Sequence, residues 1–138
     1  MLVYLDTNIY LDYLGNRCDN LRPLGEFAFQ LINRALQCEF NILFSDLVLK
    51  ELECFITKEH IEFIIKLLQS KNKIFKVQIT SIDKRLASKL KNSFHVPYAD
   101  ALHYVLALNN GAEVLITNDK HFSLIYNPKI KISCANEL

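Results

Sequence analysis

The sequence predicts an α/β fold: a single domain over residues 1–138, with a central parallel sheet of about five strands flanked by helices on both faces. Three observations predict it. Short apolar runs of three or four residues alternate with longer stretches whose apolar residues recur at helical spacing. The 138 residues, 51% hydrophobic and 22% charged, are enough for one core and not two. Three Gly and three Pro are too few for a linker, and no repeat or low-complexity segment is present.

The elements follow in order. Leu2–Leu5 is an apolar run long enough for a buried strand, and Asp6-Thr7-Asn8 breaks it with side chains that cap a helix near Ile9–Leu14. Gly15–Asn20 reads as a loop. Pro23 opens a helix to about Cys38, with Leu24, Phe27, Leu31, Ala35 and Cys38 on one stripe. Asn41–Phe44 is the second strand, and Ser45 caps the first of two helices near 46–56 and 58–70. Ile74–Val77 is the third strand. Ser81 caps a helix with Ile82, Leu86, Leu90 and Phe94 on its apolar stripe. Pro97 begins the last long helix, which Gly111 ends from the C′ position. Val114–Ile116 and Ile130–Ile132 complete the sheet. Phe27, Phe55, Phe63 and Phe94 read as core.

Composition excludes several chemistries. Glycines only at 15, 25 and 111 permit no G-x-G-x-x-G, phosphate-binding P-loop or nucleophile elbow. Cysteines at 18, 38, 54 and 134 form no C-x-x-C and read as reduced, mostly buried thiols. His60-Ile-Glu62 has the look of a zinc deaminase motif but lacks its cysteine pair. The apolar start is too short for a signal peptide, and no run approaches the ~18 apolar residues of a membrane span. A soluble cytoplasmic protein with no membrane partner is the expectation.

Charge is unevenly distributed. Residues 1–62 carry a net −5, residues 63–99 a net +7 and residues 100–138 a net −1. Lys84, Arg85 and Lys91 lie on the polar side of the helix before Pro97, where they suit either a solvated face or a track for phosphates.

Four carboxylates stand out. Asp6 and Asp119 follow the first and fourth strands, so both fall at the carboxyl edge of a parallel sheet, where such folds build their sites. Glu51 sits on the apolar stripe of its helix, where an ionised side chain needs a partner. Asp100 lies in the first turn of the Pro97 helix, a place the helix dipole also explains. One shared site accounts for all four, and no lysine or arginine is locally placed to neutralise them. Clustered carboxylates repel unless a cation is bound. An all-oxygen set suits Mg²⁺ or Mn²⁺, whereas zinc prefers His or Cys. Asn8, Ser45 and Thr117 are accessory polar residues at the same edge, suited to holding water or phosphate oxygens, or to capping.

Asp6-Thr7-Asn8, Ser45 through Glu51-Leu52, Asp100-Ala101-Leu102-His103 and Thr117-Asn118-Asp119-Lys120-His121-Phe122 together resemble a PIN domain, more narrowly the VapC-like toxin group. The resemblance covers essentially the whole chain, with the motifs in order. It implies an endoribonuclease that hydrolyses RNA phosphodiester bonds with one or two Mg²⁺ or Mn²⁺ ions. It implies Asp6, Glu51, Asp100 and Asp119 as the catalytic metal ligands, Asn8 and Thr117 as accessory positions, and a 5′-phosphate and 3′-hydroxyl as products. An antitoxin partner and a homodimer are further expectations from it. One departure is His121, where many relatives carry a fifth acid. His103 reads either as a satisfied helix histidine or, one turn from Asp100, as a phosphate contact, and His95 and His121 read as surface residues. The competing readings are a catalytically silent RNA- or protein-binding module of the same fold, and a non-toxin RNA-processing or DNA nuclease.

Overall fold

A computed structural model describes residues 1–15, 24–126 and 128–137. Of the expected loop over Gly15–Asn20, Gly15 belongs to the first helix instead; residues 16–20, the helix-opening Pro23 and Cys18 lie outside the described residues. The strands are β1 (Leu2–Leu5), β2 (Asn41–Ser45), β3 (Ile74–Val77), β4 (Val114–Ile116) and β5 (Lys131–Ser133). Between them run α1 (Thr7–Gly15), α2 (Leu24–Leu36), α3 (Asp46–Glu53), α4 (Lys58–Ser70), α5 (Ser81–Phe94), α6 (Tyr98–Asn109) and a short 3-10 helix (Lys120–Leu124).

All pairings are parallel, in the order β3-β2-β1-β4-β5. The chain steps outward from β1 to β2 to β3, then returns across the sheet to β4 and β5. The direction reverses between β1 and β4, and there the connections leave a crevice at the strands' carboxyl ends. The register pairs Leu5 with Ile116, so Asp6 and Thr117 emerge side by side. Asp6 N–H donates to the Ile116 carbonyl at 2.9 Å, which extends the ladder by one residue.

The central strands are apolar throughout because both their faces are covered. Val3, Tyr4, Leu5, Ile42, Leu115 and Ile116 are buried. α1 packs on α2 and α3, and α3 on α4, whereas α5 and α6 pack on each other. Right-handed crossovers assign these two groups to opposite faces of the sheet. The edge strands are more exposed, as their shorter apolar content requires.

Several expectations are corrected. Thr80, not Ser81, caps α5: its hydroxyl accepts from Asp83 N–H while the Asp83 carboxylate accepts from Thr80 N–H. Asp83 also accepts from Asn109 Nδ2 at 2.8 Å, tying α5 to α6. This rotates α5 so that Asp83 and Ala87 are buried, whereas Ile82 and Leu86 are exposed. The expected Ile82–Leu86 portion of the stripe therefore faces solvent. Phe55 and Phe63 are exposed too, while Phe27 and Phe94 pack at the core margin. Cys38 and Cys54 are exposed and Cys134 is partly so, against the expectation of buried thiols. Gly111 has φ +81°, the left-handed value that ends α6 and that a side chain would strain.

Replacing Asp83 with Ala removes the reciprocal cap and the bond to α6 together. The expected loss is about 1–3 kcal/mol, read as a lower urea midpoint at unchanged slope.

Candidate metal centre at the sheet's carboxyl edge

Asp6 is buried, and both its oxygens are occupied. Oδ1 accepts from Thr7 N–H at 2.8 Å, and Oδ2 accepts from the Thr117 hydroxyl at 2.7 Å. Thr117 Oγ1 in turn accepts from Asp119 N–H at 3.0 Å, so one hydroxyl joins the ends of β1 and β4. Asn118 holds the same loop by donating to Asp12 on α1 and accepting from Ala135 N–H, both at 3.4 Å. Adjacent strands thus bring Asp6 and Asp119 together, as their positions in the sequence predict.

Glu51 projects from α3 toward the same edge, with its side chain one-third exposed. Its Oε1 accepts two bonds, from the Thr7 hydroxyl at 2.8 Å and from His103 Nε2 at 2.5 Å. Asp100 opens α6 and is only 9% exposed. Its Oδ2 is buried with no hydrogen-bond donor, and His121 Nδ1 stands 3.5 Å away. Asp119 caps the 3-10 helix by accepting from His121 N–H, and His121 Nδ1 returns to its Oδ1 at 3.0 Å. Ligand atoms of Asp100, Asp119 and His121 all lie within 4.8 Å of one another.

The electrostatics follow from this crowding. Burial raises the Asp100 carboxyl to about 6, with repulsion from Asp119 and then Asp6 adding to it. Burial also raises Asp6, against the opposing pull of His103 and the bonds from Thr117 and Thr7. Burial opposes charge on Glu51, but its bond to His103, the attraction of that imidazole and the Thr7 hydroxyl together outweigh this and hold the carboxyl below its ordinary value. His103 is the converse: burial lowers it, and Glu51, Asp6 and Asp100 more than restore it. Among the described residues, no lysine or arginine pairs with any of the four acids. The basic side chains within 4 Å of these acids, among the described residues, are the two histidines.

All four expected acids are therefore gathered, but as two linked halves rather than one ring. Asp6 and Glu51 share His103, whose Nε2 lies 3.5 Å from Asp6 Oδ1, whereas Asp100 and Asp119 share His121. His121 is on the surface, as expected, and it turns a nitrogen on the acids, so an imidazole stands beside the all-oxygen set. Of the two roles expected for Ser45, the structure shows capping. Ser45 is fully buried, caps α3 through Val48 N–H and bonds the Tyr4 hydroxyl at 2.8 Å, so it does not face a ligand. Asn8 lies in the first turn of α1, half-buried, and no bond joins it to the acids among the described residues. Thr117 bridges two acids rather than standing free. Sequence reasoning does not single out Thr7 or Tyr4 as site residues, and leaves His103 between a satisfied helix histidine and a phosphate contact. The available signals are the D-T-N triplet itself and the histidine three residues after Asp100, one helical turn along the same face.

Lys84, Arg85 and Lys91 are exposed on α5. Lys84 and Lys91 are two turns apart on one side of the helix. Lys91 lines a cleft with His95, Pro97 and His121, which connects that side to the acids.

The donor set fits a divalent cation: Asp100 Oδ2 is a buried anionic oxygen that no protein donor satisfies, beside a second carboxylate and an imidazole nitrogen. Comparison with known proteins agrees with the architecture. A family model described as PIN domain matches residues 3–128. The solved structure of VapBC2 from Rickettsia felis, bound to a DNA fragment from its promoter, is similar with TM-score 0.65 and 19% identity, over 97% of this chain and 98% of that one. A toxin–antitoxin complex from Klebsiella pneumoniae gives TM-score 0.63 and 20% identity, over 93% and 98%. FitAcB from Neisseria gonorrhoeae gives 0.58 and 12%, over 99% of each chain. No curated protein matches the chain. With a family model spanning nearly the whole sheet and every acid of the site, the chain belongs to the PIN-domain family.

Proposed function

We propose that the protein is a cytoplasmic, Mg²⁺- or Mn²⁺-dependent endoribonuclease, the toxin of a toxin–antitoxin pair. The observation that carries this reading is the convergence of Asp6, Glu51, Asp100 and Asp119 at the topological reversal of the sheet, with Asp100 Oδ2 buried and unsatisfied. Asp100, Asp119 and Asp6 would hold one ion, with Glu51 completing the set and His121 adding a nitrogen donor. A bound divalent ion lowers the pKa of an attacking water and stabilises charge on the leaving oxygen of a phosphodiester. The protein's own contribution is placement. Thr117 and the Thr7 amide fix both oxygens of Asp6, and Thr7 and His103 fix one oxygen of Glu51.

RNA as substrate is supported by the cationic side of α5 leading through Lys91 to His121. An antitoxin partner is supported by the solved relatives that are toxin–antitoxin complexes. The exposed rings of Phe29, Phe55 and Phe63 offer apolar area for that partner or for a second copy of the chain.

Incubating the purified protein with total RNA, with and without Mn²⁺, and mapping new 5′ ends tests the reading. New 5′-phosphate ends that require the metal are expected. Binding without new ends would mark a silent module. Replacing Lys84 and Lys91 together with Ala should weaken RNA binding and flatten its logarithmic salt slope by roughly 0.7 for each phosphate no longer neutralised. An unchanged slope would leave α5 as a merely solvated face.

A further inference from the structure

Behind the acids lies a buried hydrogen-bond chain that metal coordination does not require. Val48 N–H donates to Ser45 Oγ at 3.3 Å. Ser45 Oγ and Tyr4 Oη are 2.8 Å apart, and Tyr4 Oη stands 2.6 Å from His103 Nδ1. His103 Nε2 then reaches Glu51 Oε1 at 2.5 Å. Ser45 and Tyr4 are 0% exposed and His103 is 1% exposed, so water does not complete the chain from the side.

The directions of these bonds are constrained. Glu51 as a carboxylate only accepts, so His103 Nε2 must carry a proton. Ser45 already accepts from Val48 and needs an acceptor for its own O–H, which Tyr4 Oη supplies. Tyr4 then donates to Nδ1. Running from Ser45 to Tyr4 to His103 to Glu51, every buried donor finds an acceptor. The opposite direction leaves the Ser45 proton with none among these groups.

The consequence for Glu51 is specific. His103 and Thr7 both donate to Oε1, which leaves Oε2 outside this network. We propose that His103 is a positioning residue, carrying a proton on Nε2 and backed by Tyr4 and Ser45, that fixes Glu51 by one oxygen so that the other is presented to the divalent ion. The inference rests on the reading of Glu51 as a metal ligand. Its basis is that groups orienting a metal ligand typically contribute 10- to 100-fold to metal affinity.

The test measures Mn²⁺ affinity in the full-length protein without RNA, by electron paramagnetic resonance titration. The variants are Glu51→Ala, His103→Leu, His103→Gln, Tyr4→Phe and the double variant Glu51→Ala/His103→Leu, each checked for a cooperative melt. His103→Leu is expected to bind Mn²⁺ about 10- to 100-fold more weakly, and Tyr4→Phe to weaken it in the same direction. His103→Gln, which keeps an N–H near the Nε2 position, should recover part of the loss. The double variant should be no worse than Glu51→Ala alone, because His103 acts through Glu51. A long-range ¹H–¹⁵N spectrum of the four histidines should show His103 protonated at Nε2. Parental affinity in both His103→Leu and Tyr4→Phe, alongside weakened Glu51→Ala, would overturn the positioning role and leave the metal reading intact. Additive losses in the double variant, or an unprotonated Nε2, would overturn it as well. Parental affinity in Glu51→Ala would remove the metal reading of Glu51 and the proposal with it.

Discussion

Asp6→Asn and Asp100→Asn are each expected to reduce metal-dependent RNA cleavage by at least about 100-fold, equivalent to roughly 2.7 kcal/mol of transition-state stabilisation, without unfolding the protein. The fold should survive for identifiable reasons. In Asp6→Asn the side-chain oxygen still accepts from Thr7 N–H, and the new amide donates to Thr117 Oγ1. In Asp100→Asn the substituted carboxyl is one whose Oδ2 has no donor to lose. What each change removes is negative charge at the sheet's carboxyl edge. Cleavage rates with Mn²⁺ held constant, next to melting curves, separate the two effects. Undiminished metal-dependent cleavage in both folded variants would contradict the assignment of these acids.

The second large effect is on stability. The Asp100 carboxyl is raised to about 6 from 3.8, so the folded state holds its proton more tightly than the unfolded chain does. Stability contributed by such a group falls as pH rises through the window from about 4 to 6. His103 is also raised, so its contribution is present below its ordinary 6.5 and is lost as pH rises through the folded value. Glu51 is lowered, and its stabilisation is lost only on acidification below 4.5. The two raised groups together predict that the metal-free protein loses stability as pH rises from about 4 to 6, and again as it rises above 6.5. Asp100→Asn should remove the lower part of that slope. At pH 7, without metal, it should be more stable than the parent by about 1 kcal/mol, a figure reduced from the full shift because solvent reaches part of the carboxylate. Mn²⁺ at 100 times its Kd should stabilise the parent by about 2.7 kcal/mol, raising Tm by roughly 10 °C. Thermal melts across pH, with and without Mn²⁺, measure all three. A metal-free Tm that climbs from pH 5 to pH 8 would reverse the expected sign.

Much of the fold was legible because it is written in short-range patterns. Each strand is a compact apolar run, and Pro97 and Gly111 punctuate α6 where the backbone demands it. Asp6 and Asp119 were legible as partners because a residue just past a parallel strand has only one edge to occupy. Helix faces were harder. Ile82, Leu86 and Phe55 sit at apolar spacing, but periodicity does not tell which side meets the sheet. The Thr80–Asp83–Asn109 bonds decide it for α5. The supporting residues of the site were hidden for a different reason. Tyr4 lies within a strand run and reads as core, and nothing local reveals that its hydroxyl reaches a histidine on α6. His103 reads as a satisfied helix residue, which it is, but its partners come from β1 and α3, which only the assembled sheet brings near.

The central claim is that the acids at the β1/β4 crevice form one divalent-metal centre. Anomalous diffraction at the manganese edge from a Mn²⁺-soaked crystal tests it directly. A peak within bonding distance of Asp6, Asp100 and Asp119 is expected, and it should vanish in Asp100→Asn. A map with no peak in that crevice at saturating Mn²⁺ would contradict the claim.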